Sequence, residues 1–271
     1  MTDPSTDRER LVEHAYKDSR PLLARGSIYH YQRDPVAIHP WVLGQVDWPD
    51  TARALDVGCG PGFYLATLRG TPPSAHHVGV DLSLGMAAEA GSVADVLVGD
   101  AQRLPFVDAS FDVLIAAHML YHVPDADAAV FEFARVLAPG GHALVVLNGR
   151  AHMHAIRELL RLSLRDLDVN DSALPTRSAE RITIETAGPM LSQAFDVLRC
   201  ERVERVVEVP VAQPVIDYAD STEHFYAPFL PPGVAWPHLM ERVTARVDAT
   251  IATKGAWRAR SHVGCFVCRP R

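Results

Sequence analysis

No stretch of this 271-residue chain approaches the ~20 consecutive apolar residues that a membrane-crossing helix requires. The opening segment, Met1 to Arg10, is polar and carries both signs of charge, so it has no apolar core of a secretion leader. Cysteine is scarce: four residues, at 59, 200, 265 and 268, spaced too unevenly for a disulfide framework. These absences lead us to expect a cytoplasmic protein with no membrane partner. Nor is there an excess of basic charge. The formal net charge of −7 argues against attraction to a phosphate backbone, so no nucleic-acid partner is expected. Internal repeats and low-complexity tracts are missing. What is present, 48% hydrophobic and 22% charged residues, suffices for a full core. The length suits one large α/β domain with elaborations.

The chain is organised around Ala54-Leu55-Asp56-Val57-Gly58-Cys59-Gly60-Pro61-Gly62-Phe63. A short apolar run holding an acid is followed by three glycines at alternate positions and then by helix-forming residues. That pattern predicts a buried parallel strand, a tight turn and a helix N-terminus, with a ligand pressed against bare backbone. A dinucleotide site would show G-x-G-x-x-G facing a pyrophosphate. Here the spacing is D-x-G-x-G-x-G, and Asp56 would repel a pyrophosphate but welcome a cationic ligand.

From Arg53 the sequence alternates regularly. Apolar runs at Ala54–Val57, His77–Val80, Asp95–Gly99, Phe111–Ala117 and His142–Leu147 read as strands. Between them lie helical patterns: Gly62 to Arg69, a helix capped by Ser83, and one with Val130, Phe133, Ala134 and Leu137 on one face, stopped by Pro139-Gly140-Gly141. Strand–helix alternation predicts an α/β fold with a doubly wound, mostly parallel sheet. After Asn148-Gly149 comes an amphipathic helix with Met153, Ile156, Leu159, Leu160, Leu164 and Leu167 on its apolar side. A turn-rich stretch from Val169 to Ser178 leads to a helix around Ala187–Ala194, and Phe195–Val209 and Ser261–Arg269 read as further strands. We divide the chain into a helical N-terminal cover (1–51), a ligand-binding domain (52–209 and 259–271) and a proline- and aromatic-rich insertion (210–258) that folds over the ligand edge.

In a doubly wound sheet, ligands sit outside the carboxyl ends of the strands. Acids stand at three successive strand ends: Asp56, Asp81 and Asp100. Asp81 is placed to accept both hydroxyls of a ribose, and Asp100 with Ala101 and Gln102 to face an adenine. One such acid is more often a cap or loop solvator; three with a glycine turn specify a nucleoside with a cationic tail. S-adenosylmethionine (SAM), with an ammonium and a sulfonium and no phosphate, has that chemistry.

The chain resembles the class I SAM-dependent methyltransferases. The resemblance rests on Leu55–Gly62, Val80-Asp81-Leu82-Ser83-Leu84-Gly85-Met86, Gly99–Phe106, Phe111-Asp112-Val113, Met119–Asp125 and Arg135–Gly141, and covers residues 52–150. It implies a Rossmann-like seven-stranded sheet, mostly parallel with the last strand antiparallel, and SAM as cofactor with S-adenosylhomocysteine (SAH) as product. It also implies that Gly58, Gly60 and Gly62 line the methionine portion, that Asp81 with Leu82 holds the ribose, that Asp100, Ala101 and Gln102 face the adenine, and that Met86 packs on its ring. Asn148-Gly149-Arg150-Ala151-His152 is similar to a bacterial subgroup of small methyltransferases.

Because the sulfonium methyl arrives activated, the protein has to align nucleophile, carbon and sulfur and, where needed, remove a proton. His122 and His118, in the loop after the fourth strand, are the candidate bases, and His118 also borders the cofactor. Tyr31 and Arg33, with Tyr29, are expected to close over the cofactor, Arg33 pairing its carboxylate. Cys265-Phe266-Val267-Cys268 has metal-ligand spacing, but residues three apart in a strand face opposite sides, so no metal site is expected. The expected activity is methyl transfer to a small-molecule acceptor by a monomer or homodimer, in secondary metabolism. Two other readings remain: a SAM-binding protein with a regulatory or cyclisation role, and a methyltransferase acting on RNA or protein, of which the RNA substrate is disfavoured by the lack of a basic stripe. A nicotinamide enzyme is set back by the glycine spacing.

Overall fold

The computed structural model describes residues 5–49, 51–69, 76–169 and 181–271. The turn-rich stretch after Val169 and the Thr71-Pro72-Pro73 turn lie outside the described residues. Seven strands form one sheet: β1 Arg53–Val57, β2 His76–Asp81, β3 Asp95–Val98, β4 Phe111–Ala117, β5 Leu137–Asn148, β6 Phe195–Val209 and β7 Trp257–Pro270. Their order is β3-β2-β1-β4-β5-β7-β6. The pairs from β3 to β5 are parallel, whereas β7 runs antiparallel to both β5 and β6. This is the expected doubly wound sheet, with its chain reversal between β1 and β4. At that reversal the connections leave on opposite faces and open a crevice above the strand ends.

The helices are α1 Arg8–Arg10, α2 Arg20–Ser27, α3 Ile38–Leu43, α4 Phe63–Leu68, α5 Leu84–Ala90, α6 Ala126–Val136, α7 His154–Arg165, α8 Ala187–Leu191, α9 Gln213–Asp220, α10 Glu223–Tyr226 and α11 Trp236–Lys254. On one face of the sheet, α6 and α8 bury Phe133, Val136 and Leu191 against Leu114, Leu147 and Cys268. Truncating a buried Phe such as Phe133 to Ala costs about 3–5 kcal/mol. On the other face, Val42, Tyr64 and Leu68 of α3 and α4 meet Ile115, Val146 and Cys265. Cys265 and Cys268 thus lie in cores on opposite faces, and both thiols are free.

Two strand boundaries differ by several residues from the sequence expectation: β7 begins at Trp257 and not at Ser261, and β5 begins before His142. Helix α6 ends at Val136, and Leu137 already pairs with Phe111 in β5. Leu137 is buried in the core, so packing claims it for the strand; Pro139-Gly140-Gly141 then forms a bulge before regular pairing resumes at Val113↔His142.

β5 pairs with β7 only between Ala143 and Asn148, but β6 and β7 pair onward to Val209↔Trp257. The two long strands therefore rise past the sheet as a two-stranded arm. A separate core forms on this arm: Val207 and Trp257 pack with Ile28, with Leu160 of α7, with Tyr218 of α9 and with Leu239 and Val243 of α11. The N-terminal cover and the insertion share this one core. The cover is stitched to the arm where Arg33 N–H donates to Val206 O at 2.9 Å, and Trp236 Nε1 donates to Asp220 within the insertion.

Candidate active site

Gly58, Gly60 and Gly62 all adopt positive φ, at 67°, 55° and 90°, a backbone open at low cost only to glycine. Each serves a different contact. A Cβ on Gly58 would lie 2.7 Å from Met119 Cβ, so that turn is pressed by the loop after β4. A Cβ on Gly60 would meet only Leu22 of the cover, at 3.8 Å, leaving that peptide bare toward the crevice. A Cβ on Gly62 would lie 2.7 Å from Val93, and Gly62 does not border the cavity. This corrects its assignment to the cofactor: its glycine is required by close packing of α4 on α5.

Above the strand ends lies a cavity of about 800 Å³, toward the upper end of the range for small-ligand sites. It is walled by the glycine turn, the ends of β1–β5 and β7, the N-terminal cover and the insertion. Asp56, Gly58, Gly60, Asp81, Leu82, Met86, Asp100, Ala101, Gln102 and His118 all border it. Asp56 is 1% exposed, and neither of its carboxylate oxygens has a hydrogen-bond partner among the described residues. Burial, and the charge of Asp81 after it, push its pKa up to about 8. At neutral pH its surroundings hold this carboxyl protonated, and a cation placed beside it would favour the carboxylate. Asp81 accepts from Gly60 N–H and Ser83 N–H, both at 2.8 Å, which aims the carboxylate across the turn. Burial raises its pKa against those backbone hydrogen bonds. Ser83 caps α5 as expected, its hydroxyl accepting from Met86 N–H.

Asp100 is already engaged. Gln102 donates to it from backbone and side chain at 3.0 and 2.9 Å, and Arg8 of the cover pairs with it at 2.9 Å. Burial works against ionisation, but these partners prevail and hold its pKa low.

The two histidines differ. His118 has φ 55°, a strained conformation for a non-glycine residue, held by its N–H donating to Val146 O at 2.9 Å. Burial, and His39 after it, lower its pKa to about 4, so it is neutral and weakly basic. His122 is a clasp. Its Nδ1 lies 2.9 Å from Ser5 O, a pure acceptor, so Nδ1 carries the proton. Nε2 then accepts from the Tyr16 hydroxyl at 2.8 Å. Both nitrogens are thus engaged by the cover, Nδ1 donating to Ser5 O and Nε2 accepting from Tyr16.

Arg33 is not at the cavity. It is an exposed residue ion-paired with Glu208, because the preceding residue Gln32 bridges to Val207 on the edge of the arm and turns Arg33 outward. Tyr31 packs into the second core instead of the cavity wall. Tyr16, Arg25, Tyr29 and His39 are among the cover residues in the wall, and Tyr64, Asn148 and His152 are among those from elsewhere. Sequence reasoning missed most of these because they stand at no strand end and share no local spacing. Cys59, Cys265 and Cys268 have thiols raised by burial, Cys268 to about 12, which makes them inert. No group of three or more His, Cys, Asp or Glu is placed to hold a metal among the described residues.

Residues 55–145 match the family model of the methyltransferase domain. The chain is 41% identical over 98 residues to a demethylmenaquinone methyltransferase of Roseiflexus castenholzii, covering 34% of this chain and 41% of that protein. It is 35% identical over 159 residues to a ubiquinone/menaquinone biosynthesis C-methyltransferase of Geobacter sulfurreducens, covering 52% and 59%. It thus spans roughly two to three fifths of the length of these relatives. Among solved structures, a methyltransferase candidate from Bacillus halodurans superposes with a TM-score of 0.59 at 16% identity, covering 87% of this chain and all of that one. A [4+2]-cyclase superposes at 0.53 with 18% identity, over 86% of this chain and 80% of that one, so the fold alone does not specify methyl transfer.

Proposed function

We propose that residues 55–145, which match the methyltransferase domain model, form a class I SAM-dependent methyltransferase domain, and that the whole chain moves a methyl group from SAM to a small-molecule acceptor enclosed in the cavity. The observation that carries the proposal is the pairing of two unlike halves in one cavity. Asp56, Gly60 and Asp81 form a polar half suited to a nucleoside with a cationic tail; aromatic and apolar walls from the cover and insertion form the other. Asp81 would take the ribose hydroxyls, Met86 and Ala101 would flank the adenine, and Asp56 would meet the ammonium. Bound SAM supplies a methyl group already activated by its sulfonium. The chain's own residues do the rest: the cap excludes water, and the walls hold the acceptor in line. Arg8 bridges cover and adenine site through Asp100. The acidic net charge supports an organic acceptor over RNA.

The test is incubation of the full chain with methyl-labelled SAM and a panel of hydroxylated and aminated metabolites, read by mass spectrometry. Label incorporation into a panel member, with SAH formed in equal amount, is the expected result. SAM binding without turnover on any member would favour the non-methylating reading. That reading draws support from His122 being engaged and His118 being a weak base.

A further inference from the structure

Among the described residues, the histidines that border the cavity are His30, His39, His118, His122 and His152. Two of them have both ring nitrogens engaged. His122 donates to Ser5 O and accepts from Tyr16. His152 accepts from His262 N–H at Nδ1, so its proton stands on Nε2 and goes to the Tyr29 hydroxyl. His30 is an exposed residue, and His118 is held at a pKa of about 4. His39 is different. Neither of its ring nitrogens has a hydrogen-bond partner among the described residues, and neither is closed off from solvent.

The ring is fixed in place without using its nitrogens. His39 is the second residue of α3, whose Val42 and Leu43 are buried in the sheet core. The end of that helix is tied down by Trp48 Nε1, which donates to Leu43 O at 2.8 Å. The His39 ring stacks on Phe63, with centroids 5.7 Å apart and planes at 19°, and meets Tyr64 edge-on at 4.7 Å. Such contacts orient a ring through its carbon face and edge. Phe63 opens α4 directly after the glycine turn, and His118 in the loop after β4 is near enough for the charge of His39 to oppose its own. His39 therefore stands where the glycine turn faces the β4 loop, at the reversal of the sheet whose crevice takes ligands. The titratable groups packed about it are His118 and Tyr64, the latter with a closed-off hydroxyl raised by burial and then by Asp56. Burial lowers the pKa of His39, so the ring is neutral at pH 7.

We infer that His39 is the catalytic base of the methyl transfer, taking the proton of a hydroxyl or amino acceptor as that group attacks the methyl. The inference rests on the methyltransferase reading above and adds the residue that moves the proton. A lone pair of the acceptor oxygen or nitrogen forms the new bond to carbon. The carbon–sulfur bond breaks with its electron pair left on sulfur, and the acceptor's proton passes to the open nitrogen of His39. One positive charge disappears from the sulfonium as one appears on the imidazolium, so the cavity's net charge is constant. Before transfer the sulfonium opposes protonation of His39; as the methyl leaves, that opposition is lifted. The ring becomes a stronger base at the moment the proton must move, which is stabilisation of the transition state over the ground state.

The experiment has two arms. In the first, proton NMR follows the His39 ring across pH in the full chain saturated with SAH or with sinefungin, whose ammonium replaces the sulfonium and its methyl. The His39 signal is the one missing from His39→Gln. Its titration is expected to lie at lower pH with sinefungin than with SAH, because the ammonium opposes a second charge beside it. Coincident titrations overturn the inference, since His39 then does not face the transferring group. The second arm is methyl transfer from labelled SAM to the acceptor panel. His39→Gln should lower kcat/KM about a hundredfold, the scale of a lost general base, with SAH affinity kept within about twofold. It should also lack the acid-side ionisation of the wild-type pH profile. Turnover within about twofold of wild type, or an unchanged profile, overturns the inference. Should His39→Gln fail to fold, His39→Asn removes the same basic nitrogens and carries the same expectations. Failure of SAH to bind the folded wild type, or no turnover by the wild type on any panel member, overturns instead the reading on which the inference rests.

Discussion

Asp56 is the residue at which stability and function oppose each other. Its pKa stands near 8 in the folded chain against an ordinary value of 3.8, so between those values the folded protein holds a proton that the unfolded chain does not. Stability therefore falls as pH rises across that window. His118 runs the other way: with a pKa near 4 against 6.5, it adds stability as pH rises from 4 to 6.5. Asp56→Asn should raise the melting temperature of the ligand-free protein at pH 8 by several degrees, with the gain vanishing near pH 4, as differential scanning calorimetry would register. The same substitution should weaken SAM binding about tenfold or more, since it removes a charged partner of the ammonium. An ammonium beside Asp56 also draws its proton off. At pH 7 SAM binding should release close to one proton in the wild type and none from this site in Asp56→Asn, read from the dependence of calorimetric enthalpy on buffer ionisation heat. The position of Asp56 was legible from the strand–glycine pattern because that pattern is local. Arg33 was misplaced because its direction is set by the edge of β6, some 170 residues further along the chain, which no local spacing reports.

At the scale of elements, the first part of the N-terminal cover, residues 5–19, is held by polar contacts that can be released singly. Tyr16 O accepts from the Ser83 hydroxyl at 2.7 Å, Ser19 N–H donates to Glu89, and the His122 clasp joins Ser5 and Tyr16. Gly85 is where the cover lies closest: a Cβ there would stand 1.9 Å from Lys17 O. Gly85→Ala should displace the cover and leave the sheet intact, seen as faster amide hydrogen exchange over residues 5–19 with unchanged protection in β1, β4 and β5. His122→Gln tests the clasp against a role as base. As a clasp, its loss should speed SAH dissociation several-fold and leave the pH profile of turnover in place; a lost ionisation near neutral pH would instead mark it as the base. The strands and their order were readable because apolar runs ending in acids repeat at regular intervals. The helix α2 and the shared second core were not, because their apolar residues come from four separated segments and form no continuous period.

For the whole molecule, the cover, the insertion and the β6–β7 arm act as one cap over one cavity, since they share a core built on Val207, Trp257 and Leu239. Ligands that bridge the cap and the sheet should hold the two together, so cofactor and acceptor should each slow hydrogen exchange in α9 and α11, distant from the glycine turn. The acidic, glycine-rich half of the cavity comes from nearby residues of one repeating motif; the aromatic half is assembled from Tyr29 and residues 218–226, which only the folded chain brings together. The central claim is that the strand-end acids hold SAM beneath this cap. Calorimetric titration of SAM into wild type and Asp81→Ala, with circular dichroism confirming the fold, tests it most directly. The account predicts one SAM per wild-type chain and at least a hundredfold weaker binding in the variant; no binding by the folded wild type, or equal binding by both, would contradict it.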